Sequence, residues 1–328
     1  MRDWLVAADD RTGAFEVAAL FAEVVGPVTV TVGVAPIGSG VVDLGSRGLS
    51  TDDAATRAAL VDAVPSTWTA HKIDSTLRGN WAAELLARCE VSGRRVAVLA
   101  GWPELGRTCV GGVVHVHGEA IGSVLEHLSG AQLIADEDGL REWLAGDGEV
   151  AVCDVPDTAS MVALASSVAD AGVMIAGPAG PLGASFAAHH GRSKLSAVPP
   201  TEGPILVICG SANPVSREQI ARLKIRRPDI DIVSAPDAEG PLHAAVAHAL
   251  ADDARARAAR VHPMTIVILG GDTAAAFLGD APRVVGGVAA TGMPWSRDAR
   301  GGGPLVITKA GGFGGPDALV KLLRGETV

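Results

Sequence analysis

Trp4-Leu-Val-Ala-Ala-Asp-Asp-Arg-Thr-Gly13 passes from an apolar run into an acidic turn within ten residues. Trp4–Ala8 reads as a buried strand and Asp9–Gly13 as the turn that leaves it. Phe15, Ala18, Ala19 and Ala22 then recur at i, i+3, i+4 and i+7, the period of a helix with one apolar face. Strand, turn and helix in that order make the unit of a parallel α/β sheet, because parallel strands need a crossover between them. The unit repeats outward along the chain. Val28–Val32, Val96–Ala100, Ala151–Val155 and Val173–Ala176 are further strand candidates. Ile205–Cys209, Thr265–Leu269 and Leu305–Thr308 continue the series. Their short apolar runs, alternating with helix-like stretches, predict mainly parallel sheets covered by helices.

At 328 residues the chain exceeds one typical domain, so two are expected. The best boundary is Gly191–Pro204, where Pro, Gly and small polar residues give a linker composition. We therefore divide the chain into an N-terminal domain, 1–195, and a C-terminal domain, 196–328. Apolar residues make up 48% and charged residues 20%, enough core to argue against disorder. A net charge of −10 offers no basic field for nucleic acid or an acidic membrane. Cys89, Cys109, Cys153 and Cys209 lie far apart without CxxC pairing, which predicts buried thiols rather than a disulfide framework. Met1-Arg-Asp-Trp4 runs straight into the first strand and no apolar run reaches membrane length, from which we expect a soluble cytoplasmic protein without a signal peptide. A homo-oligomer is compatible with the sequence, which does not specify one.

Chemistry concentrates in His71-Lys-Ile-Asp-Ser-Thr-Leu-Arg-Gly-Asn80. Two cations, a carboxylate, two hydroxyls and a carboxamide sit together in a chain with five lysines. A core excludes such groups and a surface scatters them. Thr67–Ile73 reads as a strand, and Leu77, Trp81 and Leu85 form a stripe on the helix after it. Lys72 and Asp74 then project to one side near the strand end, Ser75 lies at the turn, and Arg78 and Asn80 complete a polar mouth. The competing reading, a capped helix with a surface ion pair, explains Ser75 and Asp74 but not the whole group. The cluster suits a small anionic ligand.

Two other sites belong with it. Asp9 and Asp10 follow the first strand, and ligands of α/β sheets bind beyond the carboxyl ends of strands. A carboxylate there can take a proton from a substrate hydroxyl or hold Mg²⁺. The alternative is that Asp10 or Thr12 caps the helix. Arg47 follows the strand-like Val41–Leu44 and could hold a carboxylate bidentately, although a solvated arginine explains it as well.

The C-terminal half holds glycine turns after strands. Ile266–Ala274 reads as strand, Gly270-Gly271, then helix, with Asp272 or Thr273 as N-cap. Val306–Gly315 repeats the plan, with Lys309 adding a cation before Gly311-Gly312. Gly210-Ser211 follows a third strand. Glycines let a backbone approach a phosphate, and a helix N-terminus attracts it. Neither a Walker A loop nor a GxGxxG fingerprint is present. His115 and His117 alternate in Val-His-Val-His and could face a metal, but no third ligand has suitable spacing; solvated strand histidines fit better.

Taken in order, these motifs resemble the four-carbon acid sugar kinases. That family opens with Ala-Asp-Asp-x-Thr-Gly-Ala, here Ala8–Ala14, followed by Ser46-Arg47 and by Lys72–Asn80 without a gap. Gly106-Arg107-Thr108, Gly210-Ser211, Gly270–Thr273 and Thr308–Gly314 match its later elements. The resemblance implies a two-domain α/β kinase with its active site in the interdomain cleft. It implies Asp9, Arg47 and Lys72, Ile73, Asp74 and Ser75 as contacts of a sugar acid. It also implies Ser211, Gly270, Gly271, Asp272, Thr273 and a glycine at 311 or 312 as ATP contacts, with Mg²⁺ assisting. Asp9, Asp10 or Asp74 would orient and deprotonate the attacking hydroxyl. Two departures stand out: Arg11 replaces an apolar residue and adds a charge close to the substrate, and Gly286-Gly287 stand where an acidic residue is expected.

From this we expect an ATP-dependent kinase acting on a hydroxyl of threonate, erythronate or an oxo-tetronate. A non-catalytic sugar-acid sensor on the same fold is the first rival, and the intact glycine turns count against it. A nicotinamide-dependent oxidoreductase is the second, disfavoured by the missing dinucleotide fingerprint.

Overall fold

The computed structural model describes residues 2–191, 198–201, 203–236, 244–310 and 312–326. The chain divides into two compact units, one of residues 1–25 and 30–194, the other of residues 26–29 and 195–328. Half of the expected linker at 191–204 lies outside the described residues. No described helix is long and apolar enough to cross a membrane.

The first unit opens with β1 (Arg2–Ala8), α1 (Arg11–Val25), β2 (Val28–Val32, of which Val28 and Thr29 fall in the second unit), β3 (Gly40–Asp43) and α2 (Thr51–Val61). It continues with β4 (Ser66–Lys72), α3 (Trp81–Ser92) and β5 (Val96–Leu99). Three short strands follow, β6 (Arg107–Val110), β7 (Val113–Val116) and β8 (Glu119–Ser123), then α4 (Val124–His127), β9 (Gln132–Ile134) and α5 (Glu137–Ala145). β10 (Val150–Cys153), α6 (Thr158–Val168), β11 (Met174–Gly177) and α7 (Ala179–His190) complete it. The sheet runs β2-β3-β1-β4-β11-β5-β10-β9 and every pairing in it is parallel. β6, β7 and β8 form a separate antiparallel sheet. Its strands were not expected from the sequence beyond the alternation at Val-His-Val-His. His117 falls in the turn after β7 at φ +50°. Its ring covers the α-carbon of Gly106, so it does not line up with His115.

Helices α1 and α7 pack together, as do α2 and α3. An aromatic group drawn from β1, α1, β4 and α7 ties the first pair to the sheet. Phe21 stacks on Phe186 with centroids 3.7 Å apart, while Trp4 and Trp68 meet both edge-on. Edge-to-face and offset pairs of this kind add to the area they bury, so α1 is held firmly on the sheet. That matters because α1 begins directly after Asp9 and Asp10.

Strand alternation sends β4 side chains both ways. His71 and Thr69 face α3 and meet Glu84 and Arg88, whereas Lys72 faces α1 and meets Glu16. One expected detail differs. Leu77 is not on the helix after β4; it adopts φ +59° in the loop, and α3 starts at Trp81. Asp74–Leu77 form a turn closed by Leu77 N–H donating to the Asp74 carbonyl at 3.0 Å, and the positive φ of Leu77 redirects the chain after it.

The second unit contains β12 (Ile205–Cys209), α8 (Pro214–Arg226), β13 (Asp231–Ser234), α9 (Ala244–Val261) and β14 (Thr265–Leu269). α10 (Gly271–Leu278), β15 (Arg283–Ala290), β16 (Met293–Asp298), β17 (Leu305–Lys309) and α11 (Ala318–Leu322) follow. β13-β12-β14-β17 are parallel, and β16 and β15 extend them antiparallel. The antiparallel pair was not legible in the sequence. Gly286 stands where an acidic residue was expected, and here a side chain would be excluded: a Cβ would lie 2.0 Å from the Trp295 ring.

Candidate functional site

Register brings the first site together. Ala8 of β1 pairs with Asp43 of β3 on one side and with Lys72 of β4 on the other. The segments that leave these strands therefore emerge side by side at the carboxyl edge, where parallel sheets bind ligands. They carry Asp9-Asp10, Ser46-Arg47 and Ile73–Asn80.

Asp9 is fully buried. Arg47 donates through Nε and Nη2 to its Oδ2, both at 2.8 Å. Its Oδ1 has no hydrogen-bond partner among the described residues. Burial, and then the charge of Asp10, push this carboxyl up to about 7 against the pull of Arg47 and Lys72. Gly79 lets the turn lie against the pair: at φ +88°, its Cβ would sit 3.3 Å from Arg47 Cγ and 3.4 Å from Asp9 Oδ2.

The other two carboxylates are fully engaged. Asp10 starts α1, accepting from Gly13 N–H at 2.8 Å, from Thr12 Oγ1 at 2.7 Å and from Arg47 Nη1 at 2.9 Å. It is both helix cap and ion partner. Asp74 accepts from Arg78 Nε and Nη2 at 2.9 and 2.8 Å, from Thr76 N–H at 3.1 Å, from the Thr76 hydroxyl, and from Arg47 Nη2 at 3.2 Å. Burial opposes its ionisation, but the Arg78 hydrogen bonds and the Arg47 and Arg78 charges outweigh it and hold the carboxyl well below the usual range.

Lys72 is buried, donates to the Ile73 carbonyl at 2.9 Å and lies 3.7 Å from Glu16 Oε2. Ile73 is itself buried and contributes only backbone, its N–H donating to the Gly177 carbonyl at 3.0 Å. The Ser75 hydroxyl accepts from Arg107 Nε at 3.1 Å, so β6 delivers a fourth cation. Asn80 behaves differently from expectation. Its Nδ2 donates to the Ser46 and Leu49 carbonyls at 3.2 and 3.0 Å, bracing the loop that carries Arg47.

Two features escaped the sequence reading. Glu16 joins the cluster from the second turn of α1; its signal was that no other charge occurs between Arg11 and Glu23. Arg11 does not add a charge near the site. It is buried and its Nε donates to Asp43 Oδ2 at 2.7 Å, an ion pair with both side chains 3% exposed. Asp43 stands at the end of β3, too far along the chain for local patterning to reveal the pairing.

In the second unit, Cys209, Leu269 and Lys309 are in register across β12, β14 and β17. The three following turns are thereby neighbours. Gly270 has φ +110° and packs on Ser211, where a Cβ would lie 3.3 Å from the amide nitrogen. It is also the N-cap of α10, without any side-chain cap, so neither Asp272 nor Thr273 holds that place. Thr273 is buried in the first turn and Asp272 is exposed. Lys309 is fully buried and donates to Ser216 Oγ at 3.3 Å and the Ala310 carbonyl at 3.1 Å. Burial lowers its ammonium to about 8. Gln219 Nε2 gathers the Phe313, Gly314 and Gly315 carbonyls at 2.9 to 3.2 Å, shaping the loop that contains Gly312. Gly311 lies outside the described residues. Backbone amides, a helix start and two hydroxyls converge here, a set suited to phosphate.

Among the described residues no three His, Cys, Asp or Glu side chains group to hold a metal. With Asp10 capping α1, Asp74 clamped and Asp9 bound on one oxygen by Arg47, the first site offers no open carboxylate set for one.

A family model described as a sugar-binding N-terminal domain matches residues 4–127. A D-threonate kinase of Cupriavidus necator is 32% identical over 266 residues, covering 68% of this chain and 64% of that protein, so this chain spans under two thirds of that relative's length. A Haemophilus influenzae protein described as a domain of unknown function matches with a TM-score of 0.71 at 19% identity, over 99% of this chain and 100% of its own. A Salmonella typhimurium protein described as a putative tRNA synthase matches with a TM-score of 0.77 at 18% identity, over 100% of both chains. At such identities the two structures speak for the fold alone.

Proposed function

Since the chain belongs to the four-carbon acid sugar kinase family, we propose that it transfers a phosphoryl group from ATP to a hydroxyl of a tetronate-like sugar acid. The observation that carries this is Asp9. Its carboxylate is buried and fixed through Oδ2 by Arg47, while Oδ1, also buried, has no hydrogen-bond partner among the described residues. A general base works best with a pKa near the working pH, and Asp9 at about 7 meets that condition. Asp74, held ionised by two arginines, and Asp10, spent on the α1 start and Arg47, are poorer acceptors. We assign Asp9 as the base that receives the hydroxyl proton. Asp10 and Asp74 fix Arg47. Lys72 is the cation for the substrate carboxylate, and Arg107 holds Ser75 in place.

In the second unit, Ser211, the Gly270–Thr273 turn and Gly312 would receive the nucleotide phosphates through backbone amides and hydroxyls. Lys309 supports the same region from beneath, through Ser216 and the Ala310 carbonyl. Phosphoryl transfer asks chiefly for alignment and charge neutralisation. Mg²⁺ would supply part of that neutralisation when bound. Asp272, exposed in the first turn of α10, is the carboxylate that would help to hold it there.

The test is ADP release measured with threonates, erythronates and their 2- and 3-oxo forms. Turnover on one of these above the ATPase background is expected. No turnover on any of them would overturn the substrate assignment.

A further inference from the structure

Four acids, Asp9, Asp10, Asp74 and Glu16, face four cations, Arg47, Lys72, Arg78 and Arg107, at the first site. With every group ionised the cluster is neutral, leaving no surplus positive charge for an incoming acid. The cations are also committed. Arg47 meets Asp9, Asp10 and Asp74, Arg78 clamps Asp74, and Arg107 donates to Ser75 and the Leu105 carbonyl. Lys72 is the buried cation whose carboxylate partner stands off farthest, with Glu16 at 3.7 Å. A substrate carboxylate reaching Lys72 must therefore sit beside the Glu16 carboxylate in a desolvated place, where like charges repel strongly.

Resting on the sugar-acid site proposed above, we infer that the acid binds together with a proton, which Glu16 takes up as it yields Lys72 to the substrate carboxylate. Glu16 is suited to this by its surroundings. Burial raises its carboxyl; Lys72 of β4 and Arg107 of β6 lower it, while Asp10 at the start of α1 and Asp74 in the loop after β4 raise it again. A bound carboxylate adds one more negative charge and tips that balance toward the protonated acid. Asp9, fixed by Arg47, is assigned the separate role of base, so the two raised carboxyls serve different steps.

Titration calorimetry of the intact protein with D-threonate and D-erythronate, in buffers of different ionisation enthalpy, measures the proton count directly. Wild type should take up a proton fraction that approaches one in the pH window where free Glu16 is ionised, with affinity falling about tenfold per pH unit there. Glu16→Gln should bind the acid at least as tightly, without that uptake, and Asp9→Asn should retain it. Absence of uptake in wild type, loss of uptake in Asp9→Asn, or a tenfold weaker acid complex in Glu16→Gln would each overturn the inference. If Glu16→Gln does not fold, wild type and Asp9→Asn decide the matter by the same criteria. Failure of wild type to bind any tetronate would instead remove the sugar-acid assignment itself, and this inference with it.

Discussion

Arg47 grips Asp9 from one side only. Nε and Nη2 both lie 2.8 Å from Oδ2, and Oδ1 faces no hydrogen-bond partner among the described residues. A carboxylate held this way keeps a fixed orientation and one buried oxygen whose capacity to accept a hydroxyl proton is unspent. The first prediction follows from it. Asp9→Asn should lower kcat about 10²–10⁴-fold, the usual worth of a general base. In wild type, activity should rise with pH through about 7 as Asp9 ionises, and that limb should vanish in the variant. Steady-state rates from pH 5 to 9 check both.

The same group has the opposite sign in stability. Because its folded-state carboxyl is raised, the protonated form favours folding, fully so below the ordinary carboxylate range, and this contribution is lost as pH rises through about 7. Urea unfolding at pH 5 and pH 8 should show a larger loss for wild type than for Asp9→Asn.

Lys72→Met removes the cation assigned to the substrate carboxylate while keeping the apolar stem. KM for the acid should rise about 10- to 100-fold, the range for losing a charged hydrogen bond. ATP affinity, measured by calorimetry, should hardly change. Parallel loss of ATP binding would make Lys72 structural.

Gly270→Ala places a Cβ 3.3 Å from the Ser211 amide at φ +110°. It should cost about 1–3 kcal/mol of stability through backbone strain and weaken ATP binding, with acid binding retained. Thermal melts and nucleotide titration report the two effects separately.

The Arg11–Asp43 pair is buried on both sides. Replacing Arg11 alone by Met strands a carboxylate and should destabilise by about 3–5 kcal/mol. The double variant Arg11→Met with Asp43→Leu should recover most of that loss. Denaturant midpoints across the cycle measure the coupling.

How far local pattern reaches is clear from particular segments. Ile205–Cys209 and Thr265–Leu269 are strands over the very residues their apolar runs mark. Such runs are legible because a strand covered on both faces needs no polar alternation. β15 and β16 are not legible in this way. Glycines interrupt β15, and β16 carries Pro294 and three charged or hydroxyl side chains. Their pairing depends on Gly286 making room for Trp295, a partner nine residues away. Leu77 shows a different limit. Its apolar spacing to Trp81 and Leu85 has helical period, yet it ends the turn begun at Asp74 and turns the chain at φ +59° before α3 starts.

The sequence by itself determined the α/β class and the segments in which polar chemistry is dense, because both are properties of neighbours along the chain. Asp9-Asp10, Lys72–Asn80 and the Gly270 turn stand out without knowledge of any contact. Only the tertiary structure decided which carboxylate keeps an unpartnered oxygen, which cation is spent and which charge is silenced. Arg47 reaches Asp9 across 38 positions, Arg11 is neutralised by Asp43 across 32, and Arg107 reaches Ser75 across 32. The first two pairings come from parallel register, which sets Ala8 beside both Asp43 and Lys72, whereas Arg107 is delivered by β6 of the separate antiparallel sheet. The ionisation of a buried group depends on what surrounds it in space, and no spacing along the chain carries that information.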